Sequence, residues 1–397
     1  MAGGTNSSVL RGTGSTPLDV FHHNRHFQFM MKIDILVNNV KTAGLDAVGN
    51  LLGHVPHLKA SSVRHDHRPP GGHPVAGRIQ FEHGDDTYLL VIEVKSDGAP
   101  RFVRSAVYQL KGYLAHARQS GLEDSGLRLI PMLVSPYLSP ESRSICIDHD
   151  VAYLDLVGNA RLAFDDVYID RAVADRPKAE SRALRSIFAP KAAAILRVLL
   201  RDPAKAWRVA DLAETANASL GHVSNVRKAL LAREWVENRK DGIILAQPGA
   251  LLRNWREEYR KPAGRLIPGY TLFHGVQLSQ QLSGRLNAKP HLPRAILSSH
   301  SAAQWFAPFG RGGTDSFYAD EPGARMLQEA LELTHVERGT NVIVSIPRDE
   351  SLFDDAAQPA PGVYCASPII TYLDLWLGND RDRETAEHLA SKCFPWL

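Results

Sequence analysis

The chain carries a carboxylate and an ammonium group two positions apart at the end of an apolar stretch. Glu93 and Lys95 follow the run Tyr88–Ile92, whose apolar and β-branched residues predict a β-strand. Alternate residues of a strand lie on the same face, so Glu93 and Lys95 share one side. A carboxylate in this position can hold Mg²⁺, and an ammonium group can steady a hydroxide that attacks phosphorus. The pair could therefore serve a metal-assisted reaction, or it could be an ordinary ion pair at a strand end.

A second pair of polar residues follows on a predicted helix. Gln109 and Tyr113 lie one helical turn apart in a helix expected over 102–118. The strand and helix together resemble the PD-(D/E)XK nuclease fold, and the phrase QLKGY resembles the helix motif of its RecB-like branch. If the domain is active, this resemblance implies that Glu93, Lys95, Gln109 and Tyr113 are its catalytic residues and that Mg²⁺ is its cofactor.

One metal ligand of that fold has no counterpart in the sequence. The fold requires an Asp at the start of the preceding strand, where this chain has the phrase GRIQ at 77–80. Asp85 and Asp86 fall in the predicted hairpin turn, too close to Glu93, and Asp66 falls in a predicted loop, too far from it. With one carboxylate, Mg²⁺ binding should be lost. We therefore expect a nuclease-like scaffold with no catalytic residue, no metal and no cofactor. The alternatives are an active nuclease, or an ordinary ion pair at a strand end.

The middle of the chain is basic, whereas the rest is mildly acidic. Residues 177–262 contain 17 Lys and Arg against 9 Asp and Glu, a net charge of +8. The remaining residues contain 29 against 34, a net charge of −5. An internal basic segment is the electrostatic pattern of a nucleic-acid-binding module. A solvated helical surface is the alternative that charge counting leaves open.

The basic segment has the element order of a winged helix-turn-helix. Helices are predicted at 190–200, 209–216 and 219–233, followed by a hairpin at 235–246. Ser219 is a good N-cap for the third helix. Leu220, Val223, Val226 and Leu230 share one face of that helix and should pack inward. A structural or protein-binding role for this motif is the alternative.

The opposite face of the third helix has no acidic residue, so it could enter a major groove. There Asn225 could bond to adenine, and Lys228 could bond to a guanine edge or a phosphate. The expected partner is double-stranded DNA, read by a homodimer that binds two half-sites. The candidate DNA-binding residues are Ser219, Gly221, His222, Ser224, Asn225 and Lys228 on the helix, and Arg239 and Lys240 on the hairpin.

The remaining pattern predicts an α/β multidomain protein. We expect a flexible leader at 1–25, a restriction-endonuclease-like α/β domain at 26–176, the winged helix-turn-helix at 177–262, and a separate C-terminal α/β domain at 263–397 that serves association. An exposed loop is predicted at 61–77 and a linker at 170–181, because both are polar and contain proline.

Composition restricts the class of protein further. The chain has 397 residues, 44% hydrophobic and 22% charged, which is the balance of an ordinary globular protein. Its three cysteines are far apart, which excludes a disulfide scaffold. The absence of a signal-peptide core and of a long apolar run predicts a cytoplasmic protein without a membrane span.

Several phrases together resemble the AbiEi-like transcriptional regulators. They are EVKS at 93–96 with Pro100 and Arg101, YLDLVGNAR at 153–161, the winged helix, and SP at 367–368 with TYLDLW at 371–376. The resemblance implies a DNA-binding repressor that controls its own operon. It also implies an antitoxin of a type IV toxin-antitoxin system that counters a partner toxin without necessarily touching it. Better-known members carry the winged helix at the N-terminus, whereas here it is central.

Overall fold

The computed structural model describes residues 39–55, 58–67, 74–121, 126–174, 177–310, 312–336 and 338–397. The chain divides into two compact units, residues 1–175 and residues 176–397. Both units combine helices with mixed sheets, so the α/β class predicted from the sequence is confirmed. The predicted leader at 1–25 lies outside the described residues.

Unit 1 is a seven-stranded sheet with helices on both faces. Its strand order is the chain order, β1 to β7. The pairs from β3 to β5 are parallel, and the pairs on either side are antiparallel. The elements are α1 (39–53), β1 (Lys59–His67), β2 (Val75–His83), β3 (Asp86–Val94), α2 (Pro100–Gln119), β4 (Leu127–Ser135), α3 (Pro140–Asp148), β5 (Ala152–Asp155), β6 (Ala160–Phe164) and β7 (Val167–Arg171).

Strand β3 is the centre of this unit because it is buried on both faces. Tyr88, Leu90 and Ile92 belong to the core that α1 covers, whereas Leu89 and Val91 belong to the core under α2 and α3. The alternation follows from the two-residue period of a strand. The same period places Glu93 on the side that α2 covers.

Two predicted irregular segments contain regular structure. β1 and the start of β2 occupy most of the predicted loop at 61–77, and Asp66 lies in β1. β1 is an edge strand, held by backbone pairing with β2, so it needs no alternation of apolar residues. The predicted linker at 170–181 contains the end of β7 and the start of a helix, Lys178–Ile187.

Unit 2 begins with a helical segment that ends in a small hairpin. Helices α5 to α7 and the hairpin β8–β9 occupy the predicted positions, with a tight turn at 240–241. Trp207 forms an isolated antiparallel bridge with Ile243, beside the two strands of the hairpin. The elements are α4 (Lys178–Ile187), α5 (Pro190–Arg201), α6 (Val209–Thr215), α7 (Leu220–Ala232), β8 (Val236–Arg239), β9 (Gly242–Leu245) and α8 (Pro248–Glu258).

A six-stranded mixed sheet follows, with strand order β10-β13-β12-β11-β15-β14. β12 is parallel to β13, and β11 is parallel to β15, while the other pairs are antiparallel. The elements are β10 (Gly264–Gly269), α9 (Val276–Leu282), β11 (Ala295–Leu297), α10 (Ser299–Phe306), β12 (Asp315–Ala319), α11 (Glu321–Ala330), β13 (Val342–Pro347), α12 (Ser351–Asp354), β14 (Ala357–Ala360), β15 (Val363–Cys365), α13 (Pro368–Trp376) and α14 (Asp380–Cys393).

One hydrophobic core runs through both parts of unit 2. It joins residues of α5 and α7, such as Leu196 and Val226, to residues of α13 and α14, such as Leu373 and Leu389. Segments 177–262 and 263–397 are therefore packed on a common core, whereas the sequence predicted a separate C-terminal domain.

Candidate functional site

Three of the candidate catalytic residues that the sequence predicted in unit 1 form a polar cluster. Lys95 Nζ lies 2.8 Å from Glu93 Oε1, and Glu93 is buried. Lys95 also donates to Gln109 Oε1 at 3.1 Å, and Gln109 Nε2 donates to the carbonyl oxygen of Pro74 at 2.5 Å. The fold thus brings together three of the four residues that the sequence singled out, and it gives the ammonium group a carboxylate and an amide as partners.

Tyr113, the fourth residue, is buried one turn further along α2. Its hydroxyl accepts a hydrogen bond from Arg78 Nη1 at 3.5 Å. Arg78 is therefore a further polar residue beside this cluster. The sequence did not indicate its contact with Tyr113, because the contact between β2 and α2 depends on the order of strands in the sheet.

These residues do not fit a Mg²⁺ site. Continuing the β2–β3 register from Gly77 and Ile92 places Ala76 opposite Glu93, where a second carboxylate would be needed. Asp86, at the other end of β3, forms an ion pair with Arg128 at 3.0 Å. Among the described residues, no group of three His, Cys, Asp or Glu could hold a metal ion. The cluster is arranged as an internal ion pair.

The sequences YLDLVGNAR at 153–161 and TYLDLW at 371–376 each contain a buried Asp that accepts hydrogen bonds within the fold. Asp155 is buried and accepts hydrogen bonds from Asn159 Nδ2 and from the backbone N–H groups of Leu138, Val157, Gly158 and Asn159. It closes the turn between β5 and β6.

Asp374 is likewise fully enclosed, on α13. The hydroxyls of Tyr259 and Tyr318 each donate to one of its carboxylate oxygens at 2.8 Å. Burial raises the pKa of Asp374 to about 6, although the two tyrosine hydrogen bonds and Lys261 oppose the increase. Trp376 lies nearby with the Arg256 guanidinium 3.9 Å from its ring centroid, so it is partly covered.

The predicted candidate face of α7 is exposed. Gly221, Ser224, Asn225 and Lys228 are exposed, while Val223, Val226 and Leu230 are buried. His222 is half-buried, and its backbone N–H donates to the Ser219 side chain at 3.3 Å, so Ser219 is the N-cap. The helix contains no Asp or Glu. One residue departs from the prediction: Leu220 was expected to pack inward but is 58% exposed. As the first residue of the helix, it extends beyond the core.

The hairpin beside α7 carries both signs of charge. Arg227 Nη2 donates to Asn238 Oδ1 at 2.7 Å and thereby connects α7 to β8. Arg239 lies 3.7 Å from the Glu237 carboxylate, and both side chains are exposed. Lys240 is exposed at the turn beside Asp241. The positive potential of this region therefore comes mainly from the helix.

Comparison of the chain with protein-family models, with curated proteins and with solved structures found no match. In the part of the chain that the structure describes, no helix has the length and apolar character needed to cross a bilayer.

Proposed function

We propose that the protein binds double-stranded DNA through α7 and the β8–β9 hairpin and acts as a transcriptional regulator. The observation that carries the proposal is the exposed face of α7, which presents Ser224, Asn225 and Lys228 without an acidic residue in the helix. A phosphate backbone would meet no like charge along this face. The helix lies within a segment of net charge +8, which favours a polyanionic partner.

The neighbouring elements support this assignment. Helices α5, α6 and α7, followed by a hairpin to which Trp207 is bridged, have the order of a winged helix-turn-helix. In such motifs the third helix enters the major groove. Asn225 is then available for adenine, Lys228 for a guanine edge or a phosphate, and the exposed Leu220 for a thymine methyl group.

The regulatory part of the proposal rests on the resemblance to the AbiEi-like family. It predicts repression of the protein's own operon, a homodimer on two half-sites, and a toxin encoded alongside. A metal-dependent nuclease targeted by α7 is the weaker candidate, because Ala76 stands where the second carboxylate would be needed.

The test measures binding to a duplex selected from a random pool by the wild-type protein. Asn225→Ala should cost about 1–3 kcal/mol on the selected duplex and relax base preference at one position. Lys240→Ala should weaken selected and random duplexes alike and reduce the salt slope by about one. Gln280→Ala, which removes an exposed amide on α9, is the matched control. Unchanged affinity in both test variants would refute the assignment.

A further inference from the structure

Helix α2 of unit 1 presents four exposed basic residues and one exposed tyrosine along one side. Arg101, Arg104, Tyr108, Lys111 and Arg118 are all exposed and lie within one third of the helix circumference. We call these residues the α2 basic stripe. It spans 17 residue steps, or about 25 Å along the helix axis. The 20-residue helix contains no Asp or Glu.

The opposite face of α2 belongs to the core of unit 1. Val103, Val107, Leu110 and Tyr113 are buried there. A helix that lies on a membrane exposes its apolar face, and here that face is already covered. The basic stripe lies on the exposed side of the helix.

The composition of α2 differs from that of most other helices in this chain. Among the described helices of ten or more residues, only α2, α5 and α7 lack acidic residues. Helix α5 is mostly buried, whereas α2 and α7 each expose a basic face. An ordinary solvated helix mixes both signs, as α14 does with the sequence DRDRETAEHLASKC. The charge on α2 is complementary to a polyanion.

We propose that unit 1 binds the phosphate backbone of duplex DNA along the α2 basic stripe, independently of base sequence. This second contact surface lies in the unit that does not contain α7, so it goes beyond the function proposed above. Four cations on one side of a helix are complementary in charge to the phosphates of a duplex. Tyr108, 75% exposed, is the only aromatic residue of the stripe. A single-strand groove would require several aromatic residues for stacking, and a protein interface would have an apolar centre.

The experiment uses the full chain and a duplex of random sequence, with affinity measured over a range of salt concentrations. The double variant Arg101→Gln, Lys111→Gln should make the slope of log K against log salt less negative by about 1.8, since each phosphate contact contributes about −0.9. The double variant Arg101→Lys, Lys111→Arg, which keeps both charges, should retain the wild-type slope. Arg171→Gln with Arg325→Gln removes two exposed charges elsewhere and is the control.

The two proposals fail in different ways. Loss of the α2 charges should leave the ratio of selected to random affinity unchanged, whereas Asn225→Ala should reduce that ratio. A salt slope in the α2 double variant equal to that of the control double variant would overturn the inference. It would also be overturned if a single strand of thymidines bound more tightly than the duplex and lost that affinity in Tyr108→Ala.

Discussion

The buried carboxylate of Glu93 is paired with the ammonium group of Lys95, and this pairing restricts which other cations the carboxylate can bind. The Lys95 ammonium lies 2.8 Å from the carboxylate, and Gln109 holds that ammonium from the other side. A divalent ion would have to displace Lys95 and would find Ala76 where a second oxygen ligand is needed. We therefore expect the pair to stabilise the end of β3 rather than to activate water.

From this geometry we predict that the protein does not cleave DNA. Supercoiled plasmid incubated with the purified protein and Mg²⁺ or Mn²⁺ should stay intact, as it does in buffer alone. The informative comparison is with Lys95→Ala. Metal-dependent nicking by the wild-type protein that disappears in Lys95→Ala would contradict the prediction and restore the nuclease alternative.

We predict that Asp374 makes the stability of unit 2 depend on pH. Burial raises its folded-state pKa to about 6 from an ordinary 3.8, so between these values the folded protein keeps a proton that the unfolded chain has lost. The stabilisation is complete below about pH 4 and is lost as the pH rises through about 6. The difference between 3.8 and about 6 corresponds to at most on the order of 3 kcal/mol.

The measurement is the free energy of unfolding in urea at several pH values, followed by tryptophan fluorescence. All six tryptophans lie in residues 176–397, so the signal reports unit 2. Asp374→Asn, which cannot titrate, should remove the decrease between about pH 4 and pH 6 that is expected for the wild type. Identical pH profiles for the two proteins would show that Asp374 does not titrate in this range.

At the scale of elements, the β8–β9 hairpin depends on a glycine. Gly242 has φ +147°, and a Cβ added there would lie 2.3 Å from the carbonyl oxygen of Trp207. Trp207 and Ile243 exchange two backbone hydrogen bonds at this point, at 2.8 and 2.9 Å. A side chain at Gly242 would therefore break the bridge between Trp207 and Ile243.

We accordingly predict that Gly242→Ala destabilises unit 2 by about 1–3 kcal/mol, the usual cost of a strained backbone position. Gly221→Ala is the control, because an added Cβ meets nothing within 4 Å on the exposed side of α7. That variant should be as stable as the wild type or slightly more stable, since alanine favours helix. Thermal unfolding followed by tryptophan fluorescence checks both, and equal destabilisation of the two variants would rule out the steric explanation.

The sequence predicted the elements that are specified by residues close together in the chain. Ser219 as an N-cap and the spacing of Val223, Val226 and Leu230 were enough to place α7 and its buried face. β1 was not predicted from the sequence. It is an edge strand that is held by backbone pairing with β2, so its own residues need not alternate between apolar and polar. Leu220 was assigned to the wrong environment because periodicity gives a residue's angle around the helix axis and does not show where the core ends.

The sequence identified residues of the candidate site, but it did not predict all of the contacts between them. The strand period placed Glu93 beside Lys95, and Lys95 also donates a hydrogen bond to Gln109. The Arg78–Tyr113 contact and the position of Ala76 depend on strand order and register, which one sequence does not define.

For the whole molecule, the important boundary lies at 175–176 rather than at 262–263. Arg197, buried in α5, donates to the backbone carbonyl and hydroxyl of Ser351 at 3.0 Å and lies 3.3 Å from Asp355. Tyr259, just after α8, donates to Asp374. These contacts join residues far apart in the chain, so the charge and composition change near 262 could not reveal them.

The shared core changes what truncation should do. From sequence, removing residues 264–397 should leave a soluble fragment that still binds DNA but loses dimers or partner capture. In the structure, that cut would expose Leu196 and Val226 from the core and remove the Asp355 carboxylate that pairs with the Arg197 guanidinium. We therefore predict that fragment 176–262 aggregates or unfolds, whereas fragment 176–397 is monodisperse and unfolds cooperatively. Light scattering and urea unfolding of the two fragments check this. If fragment 176–262 unfolded with wild-type stability, segment 263–397 would have to be a docked domain, and the association role expected from the sequence would regain its support.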